Sequence, residues 1–81
     1  MNVMYFAWVR ERIGVPSEDV QTTAATVADL VEELRNRENR YAAAFADVSA
    51  LRVALDQELS DFDAPLAGVR EVAFFPPMTG G

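Results

Sequence analysis

At 81 residues the chain has room for a single domain with a small core, and its composition, 51% apolar and 25% charged, is that of an ordinary globular protein. It contains neither cysteine nor histidine, which excludes disulfides and thiolate metal sites and removes the commonest general base and metal ligand. The net charge of −6 arises from 13 acidic residues against 7 arginines, with no lysine, which argues against a nucleic-acid partner and leaves no side-chain amine for Schiff-base or conjugation chemistry.

Residues 2–8 read as an opening strand, with Val3, Tyr5 and Ala7 on one face and Met4, Phe6 and Trp8 on the other. Both faces are apolar, as in a central strand or one whose outer face meets a partner. Arg10-Glu11-Arg12 breaks the pattern, Gly14-Val15-Pro16-Ser17 signals a turn, and residues 19–23 are expected to form a short strand hairpin-paired with the first. The apolar start lacks a charged leader and a cleavage site, and no apolar run approaches the roughly 20 residues of a membrane span, so the expected setting is the cytoplasm, with no membrane.

Thr26 followed by Asp29 is a variant of the capping box. Val27, Leu30, Val31 and Leu34 then form one helical stripe, with Glu32 and Glu33 toward solvent and Asn36 at the end. Residues 40–47 are expected to form a shorter helical piece, on which Tyr41, Phe45 and Val48 repeat at helical spacing. Leu51, Val53 and Leu55 alternate as a third strand, Asp56-Gln57 makes a turn, and Glu58–Ser60 is a brief strand. A loop over 61–68 leads to the last strand, 70–75, which stops at Pro76-Pro77 because proline cannot donate to a ladder.

This order predicts an α+β domain over residues 1–75: a mixed sheet crossed on one face by one main helix, with the apolar first and last strands side by side at its centre. That architecture is the β-grasp. Residues 76–81 form an extended, flexible tail outside it.

Few side chains are placed for chemistry. Asp61 with Asp63, and Glu32 with Glu33, are neighbours in sequence only and read as solvated charges. No phosphate-binding glycine loop, serine nucleophile motif or metal spacing is present, so no metal and no bound cofactor is expected. The terminal Gly80-Gly81 remains. A Gly-Gly end arises by chance in roughly one chain in two hundred, and glycine tails often simply fray, so alone it is a weak signal. Here it follows a buried strand and two prolines that stiffen the chain. Six residues at about 3.3 Å each reach roughly 20 Å, and two glycines leave a backbone thin enough to thread a narrow channel.

The stretches Phe6-Ala7-Trp8-Val9-Arg10-Glu11 and Glu71-Val72-Ala73-Phe74-Phe75-Pro76-Pro77-Met78-Thr79-Gly80-Gly81, with Phe62-Asp63-Ala64-Pro65-Leu66 between them, resemble the MoaD family, the small subunits of molybdopterin synthase. The resemblance implies a ubiquitin-like fold and a sulfur-carrier cycle. An E1-like adenylyltransferase uses ATP to adenylate the carboxylate of Gly81, and a sulfurtransferase converts it to a thiocarboxylate. The tail then enters the large synthase subunit of a heterotetramer, where sulfur passes to a cyclic pyranopterin to build molybdopterin. The chain is then a sulfurtransferase subunit without a catalytic side chain. By the same resemblance Phe6, Leu59 and Phe75 form a docking patch shared by the partners, and Pro76, Pro77, Met78, Thr79 and Gly80 line up in the partner's channel.

One departure stands in the turn before the last strand. The family's Gly-Asp-Glu-Val is replaced by Gly68-Val69-Arg70-Glu71-Val72, which shifts the glycine and puts the turn geometry in question. Two other readings fit the same chain: a carrier for thiamine or tRNA thiolation, and a ubiquitin-like interaction module whose tail does no chemistry.

Overall fold

Apolar alternation carries the first strand only as far as Tyr5. A computed structural model describes residues 1–77. In these residues β1 (Asn2–Tyr5) passes directly into α1 (Ala7–Ile13), followed by β2 (Ser17–Asp19), α2 (Val27–Arg35), α3 (Asn39–Ala44), a 3-10 turn at Val48–Ala50, β3 (Arg52–Leu55), β4 (Glu58–Ser60) and β5 (Glu71–Phe75). The sheet runs β2-β1-β5-β3-β4; β1 and β5 are parallel and every other pair is antiparallel. The expected α+β β-grasp, with first and last strands adjacent at the centre, is therefore the observed fold, and two further short helices accompany the main one.

Pairing register sorts the strand residues into two faces. Val3, Val72 and Leu55 lie in one row, and Tyr5, Phe74 and Val53 in the next row of the same face. This inner face packs on Val9 and Ile13 of α1, Val27, Leu30, Val31 and Leu34 of α2, and Tyr41 of α3. Phe74 is its centre: Phe45 meets it edge-on at 5.0 Å between ring centroids, and Tyr5 and Phe62 lie at 6.4 Å.

Four expectations need correction. The strand over residues 2–8 ends at Tyr5, and Trp8 lies on α1, half-buried against the core, with the Arg12 guanidinium 4.9 Å from its ring. Val9 and Ile13, one turn apart and both buried, with Gly14 closing the helix at φ 98°, outweigh the alternation that residues 6–8 share with a strand. Next, β2 is Ser17–Asp19 rather than 19–23, because Glu18 takes the inward position opposite Val3. There its carboxylate accepts hydrogen bonds from Tyr5 (2.8 Å) and Tyr41 (2.6 Å). Glu33 is half-buried rather than solvated and accepts from the Thr22 hydroxyl at 3.1 Å. Finally, α3 stops at Ala44, and Asp47 caps a separate 3-10 turn that leaves Val48 37% exposed instead of in the core.

Elsewhere local chemistry acts as expected. The Thr26 hydroxyl accepts from Asp29 N–H at 3.2 Å and starts α2. Asp56 and Gln57, at φ 50° and 72°, make the two-residue hairpin turn between β3 and β4. The Asp56 carboxylate also accepts from Arg70 and Glu71 N–H, both at 3.0 Å, tying that turn to the start of β5. The departure before β5 resolves into a turn closed by Val69 N–H to the Leu66 carbonyl at 3.0 Å, with Gly68 at φ 77°, and Arg70 contributes its backbone there.

Two predictions follow from these contacts. Replacing Gln57 by Gly should raise stability by about 0.5–1 kcal/mol in chemical denaturation, since glycine takes positive φ without steric cost. Burial first, then the hydrogen bond and charge of Glu18, push the Tyr5 hydroxyl far above the usual phenol range, and the same causes raise Tyr41. The unfolded chain therefore loses these protons near pH 10 while the folded chain keeps them. Stability should be intact below that pH and fall above it, by up to about 1.4 kcal/mol per pH unit from Tyr5. With no lysine or cysteine titrating alongside, urea midpoints taken between about pH 9 and 12 should show the fall, and Tyr5→Phe should flatten it.

Candidate functional site

Among the described residues no helix covers the sheet's second face. Register places Ser17, Met4, Ala73, Ala54 and Leu59 in one row across all strands, with Arg52 and Phe75 in the neighbouring row. Phe6 joins that second row, because its N–H donates to the Phe74 carbonyl at 3.1 Å and continues the parallel ladder one residue past Tyr5. Strand period does the sorting here: Phe74 points into the core, so Phe75 must point out.

Small residues between large ones shape this surface. Phe6, Ala7, Ala73, Phe75 and Pro76 line a hollow of about 420 Å³ at the end of β5, where the chain leaves the sheet. None of the lining residues titrates, so the hollow can bury apolar groups but cannot move protons. The charged side chains on this face stand at its rim: Glu71 and Asp19 toward the start of β5, Arg52 beside Phe75. Among the described residues no three His, Cys, Asp or Glu side chains converge to hold a metal, and no helix is long and apolar enough to cross a membrane.

The expected docking residues fall on this one face. Phe6 is 42% exposed and Leu59 73% exposed, both unusual for large apolar side chains, and Phe75 is half-buried. Phe6, Phe75 and Pro76 share the hollow, and Pro77 is half-buried beyond it. Leu59 stands apart, two strands from β5 and one row back, about 12 Å from Phe75 by sheet spacing. Met78, Thr79, Gly80 and Gly81 lie outside the described residues. Ala7 and Ala73, which give the hollow its depth, were not legible as site residues, since alanine carries no chemical mark. The one available signal was Ala73 set among bulky neighbours in an otherwise large-residue strand.

Fold and exposed sheet face together define a ubiquitin-like β-grasp protein that presents an apolar surface where its last strand ends. A family model described as the ThiS family matches residues 3–81, and the chain belongs to that family. It is 41% identical over 81 residues to the molybdopterin synthase sulfur carrier subunit of Escherichia coli strain K12, covering 100% of this chain and 99% of that one. It is 36% identical over the same span to the subunit of that name in Haemophilus influenzae. Among solved structures, SAMP1 from Haloferax volcanii superposes with a TM-score of 0.78 at 24% identity, covering 100% of this chain and 98% of that one; at that identity the likeness concerns the fold alone. A putative molybdopterin converting factor subunit 1 from Pyrococcus furiosus superposes at 0.70 with 26% identity, covering 95% of each chain.

The two faces of the sheet should respond oppositely to truncation. Leu59→Ser should leave stability within about 0.5 kcal/mol of the parent, as an exposed substitution does. Phe74→Ala should cost about 3–5 kcal/mol, the loss of a core aromatic. Equilibrium urea denaturation of the two variants checks the contrast.

Proposed function

We propose that this chain is the sulfur carrier of a molybdopterin synthase, with the C-terminal carboxylate of Gly81 as its reacting group. The full-length identity of 41% to a molybdopterin synthase sulfur carrier subunit carries the reading. The apolar sheet face that runs to the tail's root supports it.

The chemistry needs no side chain of the carrier. A carboxylate is a poor electrophile. An E1-like adenylyltransferase lets it attack the α-phosphorus of ATP; pyrophosphate leaves and an acyl-adenylate forms. A persulfide sulfur on a sulfurtransferase then displaces AMP to form an acyl disulfide, and a thiol reductant cleaves its S–S bond to release the thiocarboxylate. In the large synthase subunit this soft sulfur bonds to a cyclic pyranopterin on the way to molybdopterin, and water hydrolyses the acyl–sulfur bond to restore the carboxylate. Dependence on ATP assigns the cycle to the cytoplasm, and two carriers with two large subunits make the working heterotetramer.

The body of the domain supplies binding and reach. Phe6, Leu59 and Phe75 dock on the activating enzyme and on the large subunit in turn, so one carrier face serves both. Pro76 and Pro77 stiffen the start of a tail whose residues 76–81 span roughly 20 Å when extended. Met78 and Thr79 contact the channel wall, and Gly80 and Gly81 let the backbone pass where a side chain would not fit.

Co-expression with an E1-like adenylyltransferase and a sulfur donor, read by intact mass, tests the reading. The expected result is the gain of one oxygen-to-sulfur exchange, mapped to Gly81 by fragmentation, and formation of molybdopterin when the large subunit and the pyranopterin are added. Deleting Gly81 should abolish both while leaving the thermal transition in place. No mass gain, with partners that charge another carrier in the same assay, would sink the proposal.

A further inference from the structure

Phe6 is held by two different elements. Its N–H closes the parallel ladder on Phe74, and its carbonyl accepts from Val9 and Arg10 N–H to open α1. The chain must change from strand to helix within one residue, and that residue is Ala7, at φ 52°. Left-handed backbone is uncommon for any residue with a Cβ, whereas glycine enters it freely. Gly14 and Gly68 take positive φ where α1 ends and where the chain turns into β5, while Asp56 and Gln57 take it without glycine in the exposed β3–β4 turn. At position 7 folding alone would favour glycine too, yet alanine stands there, in the wall of the hollow formed with Phe6, Ala73, Phe75 and Pro76.

We infer that Ala7 is a binding residue of the docking face. Its methyl group supplies apolar wall to the hollow that receives the partner, and its narrower backbone range keeps Phe6 beside Phe75 before the partner arrives. The strand-to-helix change requires the left-handed backbone at position 7; holding it with alanine instead of glycine adds strain, and strain of that kind clusters at ligand-contacting sites. The inference rests on the docking role proposed for Phe6.

The test measures stability and affinity separately, with the large subunit of molybdopterin synthase as the binding probe in calorimetry. Ala7→Gly should leave the thermal midpoint unchanged or raise it, while weakening binding about twofold to fivefold, as expected from the backbone freedom glycine adds. Ala7→Asn keeps access to left-handed backbone but places an amide in the hollow, and should weaken binding about fivefold or more. Unchanged affinity in both variants overturns the inference. So does a loss of affinity matched by a loss of stability, which would mark Ala7 as a structural residue only. Phe6→Ala separates the two levels of the argument. If it binds like the parent chain, the docking face itself is wrong; if it weakens binding while both Ala7 variants do not, only the role of Ala7 fails.

Discussion

The parallel pairing of β1 with β5, locked by Phe74, is the contact on which the rest of the molecule depends. β5 is the central strand, hydrogen-bonded on both edges, and Phe74 fastens it to the end of α3 through Phe45, to β1 through Tyr5 and to the 61–68 loop through Phe62. Without that pairing, β1 would have only the three-residue β2 beside it and α1 would lose its anchor at Phe6. The same strand also leads directly to the tail. Core formation and the placement of the chain's exit from the sheet at Pro76 are thus one structural event.

A strand's period of two turns this event into a site. Because Phe74 is committed to the core, Phe75 is committed to the outside, and Ala73 falls between it and the exposed rows of β1 and β3. Large side chains at Phe6 and Phe75 with small ones at Ala7 and Ala73 leave a depression rather than a flat apolar sheet. The outer surface therefore offers shape as well as hydrophobicity, and its charges are kept at the rim. A surface of this kind can bury apolar groups of varied shape, since nothing in its floor needs a particular hydrogen bond.

Periodicity made much of the fold legible from the residues. The stripe of α2, the alternation of β3 and β5 and the Asp56-Gln57 turn were readable because each is a local pattern with one physical interpretation. Helix α1 was hidden because Phe6-Ala7-Trp8-Val9 satisfies strand and helix periods alike, and only Ile13 and Gly14 decide between them. Glu18 concealed β2, since an inward carboxylate looks like a break until Tyr5 and Tyr41 are found to satisfy it. Of the exposed face, the aromatic pair Phe6 and Phe75 was legible, as was Leu59, while Gly80 and Gly81 lie outside the described residues. The hollow was not legible, because it is made by small side chains and by one unusual φ angle, neither of which leaves a pattern in a sequence.

The Asp56 clamp on Arg70 and Glu71 sits at the opposite end of β5 from the tail, and this has a mechanical consequence. A pull on the tail runs along β5, between a parallel neighbour on one edge and an antiparallel neighbour on the other. The ladder bonds on both edges are then loaded in shear and must fail together, with the carboxylate clamp adding resistance at the far end. Peeling one bond at a time is not open to a strand held in this way. A domain built so keeps its shape under a pull applied beyond Phe75.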